Sequence, residues 1–448
     1  MEGRLRPYPP LLNYATRLLV EPTLRAPYLS TCAWLHEFYD WVPERRHEWQ
    51  RSRLQQVLAH AASNVPRYRA QAGPLGNLAL EDLPVVCKDV IREDTQSFLS
   101  QAQPQPSYVL KCTSGTTGER WTYPLDRRAW THTYAAWLFF LGFTGYRYGD
   151  PLVVFGPHSA RDRPHSVLDL LREKAERRHF TGGGADLGGA ASERRLVEAS
   201  RHGRAIWYGY PSVMAAMGRA VADRECSEAP ILFRPPSAIV TSGEMLHPLW
   251  RRQIERLFGG PVLDQYGCND GGILTQSCRA GRFHVAENLS IVEVLKDGEP
   301  CAPGVEGSVT VTNLHALLLP FLRYDTGDRA SLGAGDCPCG RSGQTLQAVQ
   351  GRAWPSVLLP DGREVNPLDL SLDRVDAPHV RRVQLLQRDL EELRVRLEVN
   401  AGFSAAEEER IRTFMSEQCQ HALRVTVLTD EQMEMTSGGK HPFVIRRV

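Results

Sequence analysis

The 448-residue sequence has no uninterrupted apolar run of membrane length, and its first residues, Met-Glu-Gly-Arg-Leu-Arg-Pro-Tyr-Pro-Pro, lead into no apolar core of signal-peptide type. Cytoplasmic residence with no membrane partner is the expectation. Net charge is also nearly absent, since 53 Lys and Arg stand against 52 Asp and Glu for a formal +1. Without a basic field beyond short pairs such as Arg45-Arg46 and Arg251-Arg252, no nucleic-acid partner is expected. Internal repeats and long low-complexity linkers are lacking. The ten cysteines are scattered rather than framed for disulfides; only Cys337-Pro-Cys339 is compact, and most of the others read as reduced packing residues. What is present is an ordinary globular composition, 42% hydrophobic and 23% charged, in a chain long enough for two or three domains or for one large body with an appendage.

Up to about residue 100, Trp34, Phe38, Trp41, Trp49, Leu54 and Leu58 are interleaved with charged residues, a pattern that predicts helices laid over a core. Short apolar segments over 151–156, 205–209, 238–243 and 261–267 then end at glycine or polar turns, and stretches such as 164–178 and 246–258 between them have helical composition. This alternation predicts an α/β body with sites at strand ends. Val309-Thr-Val-Thr312 begins another sheet region. Beyond Gly351-Arg352 and the turn Pro360-Asp-Gly362, apolar alternation over 381–397, a charged helix over 404–418 and a strand over 422–428 predict a compact α+β tail. The expected division is a body over 1–350, its first 100 residues mainly helical, and a C-terminal domain over 351–448.

Within Lys111-Cys-Thr-Ser-Gly-Thr-Thr-Gly-Glu119, two close glycines and a cluster of hydroxyl side chains suit a turn that wraps phosphate oxygens with backbone N–H groups and short donors. The loop lacks the Gly-Lys-Ser/Thr ending of a Walker loop, and alone it fits a polar surface turn equally well. It gains meaning from its company. Thr113-Ser-Gly-Thr-Thr-Gly118, Ser242-Gly-Glu244, Tyr266-Gly-Cys-Asn-Asp270, Tyr324-Asp-Thr-Gly-Asp328, Gly351-Arg352 and Gly438-Gly-Lys440 follow one another in order. Through these segments the chain resembles the adenylate-forming superfamily, particularly its phenylacetate-CoA-ligase-like and CapK-like branch, across most of residues 80–448.

The resemblance implies a large adenylate-forming α/β N-terminal body and a small, mobile α+β C-terminal domain. It implies that Ser114, Gly115, Thr116, Thr117 and Gly118 form the loop that holds the ATP phosphates. Gly243, Glu244 and Tyr266 would line the adenine pocket, Asp328 would contact the ribose hydroxyls, and Arg352 would lie near ribose and phosphate. Asp270 occupies the acidic position associated with Mg²⁺, and Lys440 matches the mobile-domain lysine that favours adenylation; with Thr117 these are the expected catalytic positions. Taken singly, Asp328 closes a turn, Tyr266 fills a core and Lys440 is a surface cation; the joint pattern gives them roles. Two departures stand out. Glu119-Arg120 follows the loop where many relatives carry lysine or proline, and Ala353-Trp-Pro after Gly351-Arg352 lacks the common acidic hinge pair.

These residue types suit the chemistry. A carboxylate acylates poorly until its oxygen attacks the α-phosphorus of ATP, which yields acyl-AMP and pyrophosphate; Mg²⁺, loop donors and a cation stabilise charge on the moving oxygens. The resemblance implies an aromatic carboxylic acid as the leading substrate, for which residues around Trp207, Tyr210, Pro211 and Tyr266 could supply an apolar pocket, although Trp207 and Tyr210 also fit a structural core. CoA is the leading acceptor, giving a thioester. A carrier protein or an amine is the alternative, and a nucleotide-binding protein without turnover ranks below both.

A second constellation is Cys278-Arg-Ala-Gly-Arg-Phe-His284 with Cys337-Pro-Cys339-Gly-Arg341. Three thiolates and one imidazole can complete a tetrahedral Zn²⁺ site once the chain folds back across the 52 residues between His284 and Cys337. Such a site would be structural, since four protein ligands leave no open position. The alternative is a cysteine cluster beside an unrelated histidine.

Overall fold

The computed structural model describes residues 28–72, 78–112, 121–147, 149–155, 177–181, 189–203, 205–225, 233–260, 262–352, 356–365, 367–372, 375–435 and 441–448. The chain forms a large N-terminal body of helices and sheets followed by a smaller α+β region.

Two helices, Tyr28–Asp40 and Pro43–Asn64, lead into the body. Pro43 opens the second, where its missing N–H costs nothing, and the helix stops before Val65, whose extended backbone suits a residue preceding Pro66. The aromatics of this region pack on one another: Trp34 lies 5.1 Å from Phe38 and 5.2 Å from Trp49, ring centre to ring centre. Val57, Leu58, Ala61 and Val65 recur at helical spacing and are buried with Tyr68, Phe98 and Tyr324.

Five parallel strands form the centre of the body in the order Arg178–Thr181, Leu152–Phe155, Ile206–Gly209, Ala238–Ser242 and Val262–Gln265. Their residues alternate between two cores. Val153, Trp207, Ile239 and Val262 face a layer that includes Leu196, Met214 and Ile254 from three helices, whereas Leu152, Ile206 and Val240 pack with Leu138 and Leu141 of the helix Arg127–Leu141. Burial on both faces explains why the strands other than the edge strand Arg178–Thr181 read as apolar runs. The helical expectation for 164–178 lies outside the described residues except at its end, where it fails. Arg177 takes a left-handed φ of 51°, and Arg178 starts the edge strand that pairs with Leu152.

The second sheet has eight strands. Glu299–Pro300, Ser290–Lys296, Glu306–Asn313, Tyr324–Leu332, Thr345–Arg352, Phe283–Val285 and Thr275–Ser277 are antiparallel neighbours in that order, and Val86–Cys87 adds in parallel to Tyr324–Leu332. The strand Thr345–Arg352 belongs to this sheet up to Arg352. From Val357 onward a separate core forms around Leu385, Leu393, Val395, Ile411 and Met415. Its four-stranded sheet runs Arg424–Leu428, Glu392–Val399, Val380–Gln387, Val444–Arg446, and Ala405–Gln418 is its helix. That helix starts at a reciprocal cap in which Ser404 Oγ accepts from Glu407 N and the Glu407 carboxylate accepts from Ser404 N.

Candidate active site

The phosphate-loop residues Ser114, Gly115, Thr116, Thr117 and Gly118, and Lys440, lie outside the described residues. The strands flanking that segment are described: Tyr108–Cys112 and Thr122–Asp126 pair antiparallel, with Cys112 opposite Thr122.

Gly243, Glu244 and Tyr266 sit at the carboxyl ends of the parallel strands, where open α/β sheets present their crevices. Gly243 follows Ala238–Ser242 and Tyr266 follows Val262–Gln265. Gly243 has a φ of +82°, and a Cβ there would stand 2.6 Å from Tyr210 Cε1. Glycine is therefore required twice, for the left-handed turn and for the approach of the Tyr210 ring.

Tyr266 joins the two sheets. Its hydroxyl donates to Asp328 Oδ2 at 2.8 Å, and Asp328 lies in the strand Tyr324–Leu332 of the antiparallel sheet. In the next strand Arg352 stands opposite Asp328. Three residues widely separated in sequence thus converge through one hydrogen bond and one register. Burial, followed by the charge of Asp328, holds the Tyr266 hydroxyl far above its ordinary pKa, so it remains a proton donor.

Asp270 is 3% exposed, and both of its oxygens are engaged: Tyr324 Oη donates to Oδ2 at 2.7 Å and Cys268 Sγ to Oδ1 at 2.9 Å. Burial, then the carboxylate beside it, pushes the Tyr324 hydroxyl far up as well. Tyr324 and Cys268 belong to the segments that carry the resemblance, but no role was expected for them. A two-residue separation of Cys268 and Asp270 hints at proximity; the Tyr324 contact, 54 residues away, leaves no local signal.

The structure does not bring the whole expected acyl pocket together. Trp207 is 0% exposed, with its ring 5.4 Å from Phe155 and 5.2 Å from Phe258, so it is a packing residue on the helix-covered face. Its neighbour Tyr208 points to the opposite face, as strand alternation requires, and donates to Gln265 Oε1 at 2.8 Å. Tyr210 lies against Gly243, and Pro211 begins the helix Pro211–Glu225. Glu244 faces two backbone donors, with Oε2 accepting from Ser212 N and Oε1 from His441 N, each at 3.2 Å.

Cys278, His284, Cys337 and Cys339 do come together, with their ligand atoms all within 4.8 Å of one another. Cys278 Sγ is 3.6 Å from Cys337 Sγ, and Cys339 Sγ is 3.2 Å from His284 Nε2. Zinc bonds of about 2.3 Å to sulfur imply sulfur–sulfur edges of roughly 3.8 Å in a tetrahedron, close to this spacing, whereas a disulfide would need about 2.05 Å. Two matching turns present the thiols. Gly281 N donates to Cys278 O and Gly340 N to Cys337 O, each at 2.9 Å, and the two glycines have φ of +78° and +79°. Burial, with Arg341 and Arg282 nearby, lowers His284 to about 4 and leaves its imidazole neutral, the form that binds metal.

No family model matches the chain. A phenylacetate-coenzyme A ligase from Thermus thermophilus is 25% identical over 462 aligned positions, covering 90% of this chain and 96% of the relative. A 2-hydroxyisobutyryl-CoA ligase in its postadenylation state superposes with a TM-score of 0.68 at 20% identity, covering 91% of this chain and 94% of the other. The chain shares the fold of this CoA ligase over 91% of its length. The 2-hydroxyisobutyryl-CoA ligase in its thioesterification state gives a TM-score of 0.55, with 21% identity and 90% coverage of each chain. An anthranilate CoA ligase bound to anthranoyl-AMP gives 0.54 at 16% identity, covering 79% of this chain and 69% of the other. No described helix is long and apolar enough to cross a membrane.

Proposed function

We propose that this protein converts a small aromatic carboxylic acid to its acyl-AMP and then to a CoA thioester. The observation that carries the adenylation site is the Tyr266–Asp328 hydrogen bond, which draws the strand ends of the parallel sheet to the strand opposite Arg352. The aromatic substrate and the CoA acceptor are supported by the Thermus thermophilus relative, a phenylacetate-coenzyme A ligase. Tyr208, Tyr210 and Pro211 supply the ring-facing wall, and Trp207 backs it from within the core.

In the first step a substrate carboxylate oxygen bonds to the α-phosphorus and the bond to pyrophosphate breaks. Asp328, held by Tyr266, accepts hydrogen bonds from the ribose hydroxyls, and Gly243 leaves room for the base beside Tyr210. Asp270 would hold Mg²⁺, which neutralises phosphate charge when bound; Tyr324 and Cys268 aim its carboxylate while each oxygen keeps a further lone pair. The phosphate loop and Lys440 act on the triphosphate oxygens. In the second step the CoA sulfur bonds to the acyl carbonyl carbon, AMP leaves with the former carboxylate oxygen, and the thiol proton goes to solvent.

An acid library incubated with ATP, with CoA present or omitted, tests this by mass spectrometry. Acyl-AMP without CoA and acyl-CoA with it are expected for an aromatic acid; failure of every acid to form adenylate rejects the reading, and adenylate that reacts only with a carrier protein or an amine rejects CoA. Lys440→Ala should slow adenylation on the order of a hundredfold while sparing thioester formation from supplied acyl-AMP. Wild-type rates in both steps would remove Lys440 from the mechanism.

We also propose a structural Zn²⁺ held by Cys278, His284, Cys337 and Cys339. Elemental analysis should find about one zinc per folded chain, in keeping with a closed four-ligand site. Cys337→Ser combined with Cys339→Ser should abolish it and speed proteolysis between residues 333 and 344; unchanged zinc content would reject these ligands.

A further inference from the structure

We propose that Glu244 and His247 are positioning residues for adenylation, forming a joint that docks the C-terminal domain and so sets the place of Lys440; this rests on the acid-activating reading above. Glu244 leaves the strand Ala238–Ser242 through the Gly243 turn. Its carboxylate spans two parts of the molecule, with Oε2 on the Ser212 N–H of the body and Oε1 on the His441 N–H of the tail. His441 is the residue after Lys440.

Three and six residues further along, the same segment meets the tail again. The His247 ring lies 4.9 Å from that of Phe443, and the Trp250 ring 5.8 Å from that of His441, measured between centres. His247, Trp250, His441 and Phe443 are 4%, 6%, 4% and 3% exposed, so the joint is closed to water at its centre. Both sides are anchored. His247 Nδ1 accepts from Leu249 N and caps the helix Pro248–Phe258, while Phe443 O accepts from Leu385 N, where the last strand enters the tail sheet.

This placement gives Glu244 a function other than the adenine wall expected of it. The residue beside the base-binding turn senses whether the tail is seated, because one of its oxygens is satisfied by a tail N–H. A joint centred on a carboxylate bridge and ring contacts can part when the tail must move for the thioester step. Body and tail thus meet at the foot of the segment that carries Lys440.

His247→Asn keeps a side-chain acceptor for the helix cap and removes the ring that meets Phe443. Glu244→Gln leaves one carbonyl oxygen to serve two N–H donors. In each variant, kcat for acid-dependent exchange of pyrophosphate into ATP should fall about tenfold at little-changed KM for ATP, and acyl-CoA formation from supplied acyl-AMP should stay within about twofold. Amide hydrogen exchange over residues 441–446 should accelerate in both. Equal loss in the two half-reactions, or unchanged exchange, would overturn the joint. A wild-type protein that adenylates no acid would sink the acid-activating reading instead, and hydrogen exchange would still decide whether Glu244 and His247 hold the tail.

Discussion

Arg46→Ala should destabilise the folded protein by about 3–5 kcal/mol, the cost of leaving a buried carboxylate without its partner. Arg46 is 1% exposed and donates from Nε to Glu287 Oε2 at 2.8 Å, from Nη1 to Trp41 O at 2.7 Å and from Nη2 to Ser342 Oγ at 3.0 Å. The other oxygen of Glu287 accepts from Gln344 N at 2.8 Å, and its carbonyl accepts from Gln50 Nε2. One ion pair therefore ties the helix Pro43–Asn64 to the loop that leaves Cys337 and Cys339. Alanine removes the cation and leaves the Glu287 carboxylate buried without its ionic partner. Chemical denaturation followed by tryptophan fluorescence measures the loss. Arg46→Met combined with Glu287→Gln should recover most of it, since the uncompensated charge has then gone; a single-variant loss below about 1 kcal/mol would show that the pair contributes no more than a surface bridge.

Acidification from pH 7.5 to 5 should weaken the fold by about 2 kcal/mol through His132, with a loss of the same sign from His315 stacked on it. The His132 and His315 rings lie 3.7 Å apart at 13°, and His315 Nε2–H donates to Asn288 O at 2.8 Å. Burial, then the cations Arg128 and Arg53, lowers His132 to about 3; burial, then His132, holds His315 well below its ordinary value. Both imidazoles are neutral in the folded protein and titrate near 6.5 once unfolded. Protons thus bind the unfolded chain first, so the stabilisation is complete above about pH 6.5 and is lost progressively as pH falls toward the folded values. His132→Phe keeps a ring stacked on His315 and removes one titrating group. Its denaturation free energy should fall by about 2 kcal/mol less than wild type between pH 7.5 and 5; identical pH dependence would exclude the pair as an acid-labile element.

Much of this molecule was legible because its signals are local. Four of the parallel strands appear as apolar runs ended by turns, since they are buried on both faces, and Ala238–Ser242 and Val262–Gln265 end within two residues of the expected limits. The capped helix Ala405–Gln418 was legible for the same reason, as Ser404 and Glu407 lie one turn apart. Trp207 shows where local reading stops. An aromatic on a strand declares its face only when the register and the covering helices are known, and here Trp207 joins the core while Tyr208 takes the other side. The edge strand at Arg178 escaped because its apolar content is low and its stability comes from pairing with Leu152–Phe155.

By itself the sequence carried the motif order behind the resemblance, the order of body and tail, and the residue types suited to carboxylate activation and to a four-ligand metal site. These depend on motif order and on turn chemistry, which chain neighbours set. Tertiary structure alone decided that Tyr266 bonds Asp328, that Tyr324 and Cys268 share Asp270, that Cys278, His284, Cys337 and Cys339 meet, and that Glu244 reaches His441. Each of those contacts depends on the angle at which two sheets or two domains pack, and that angle follows from the summed fit of many buried side chains rather than from any single segment.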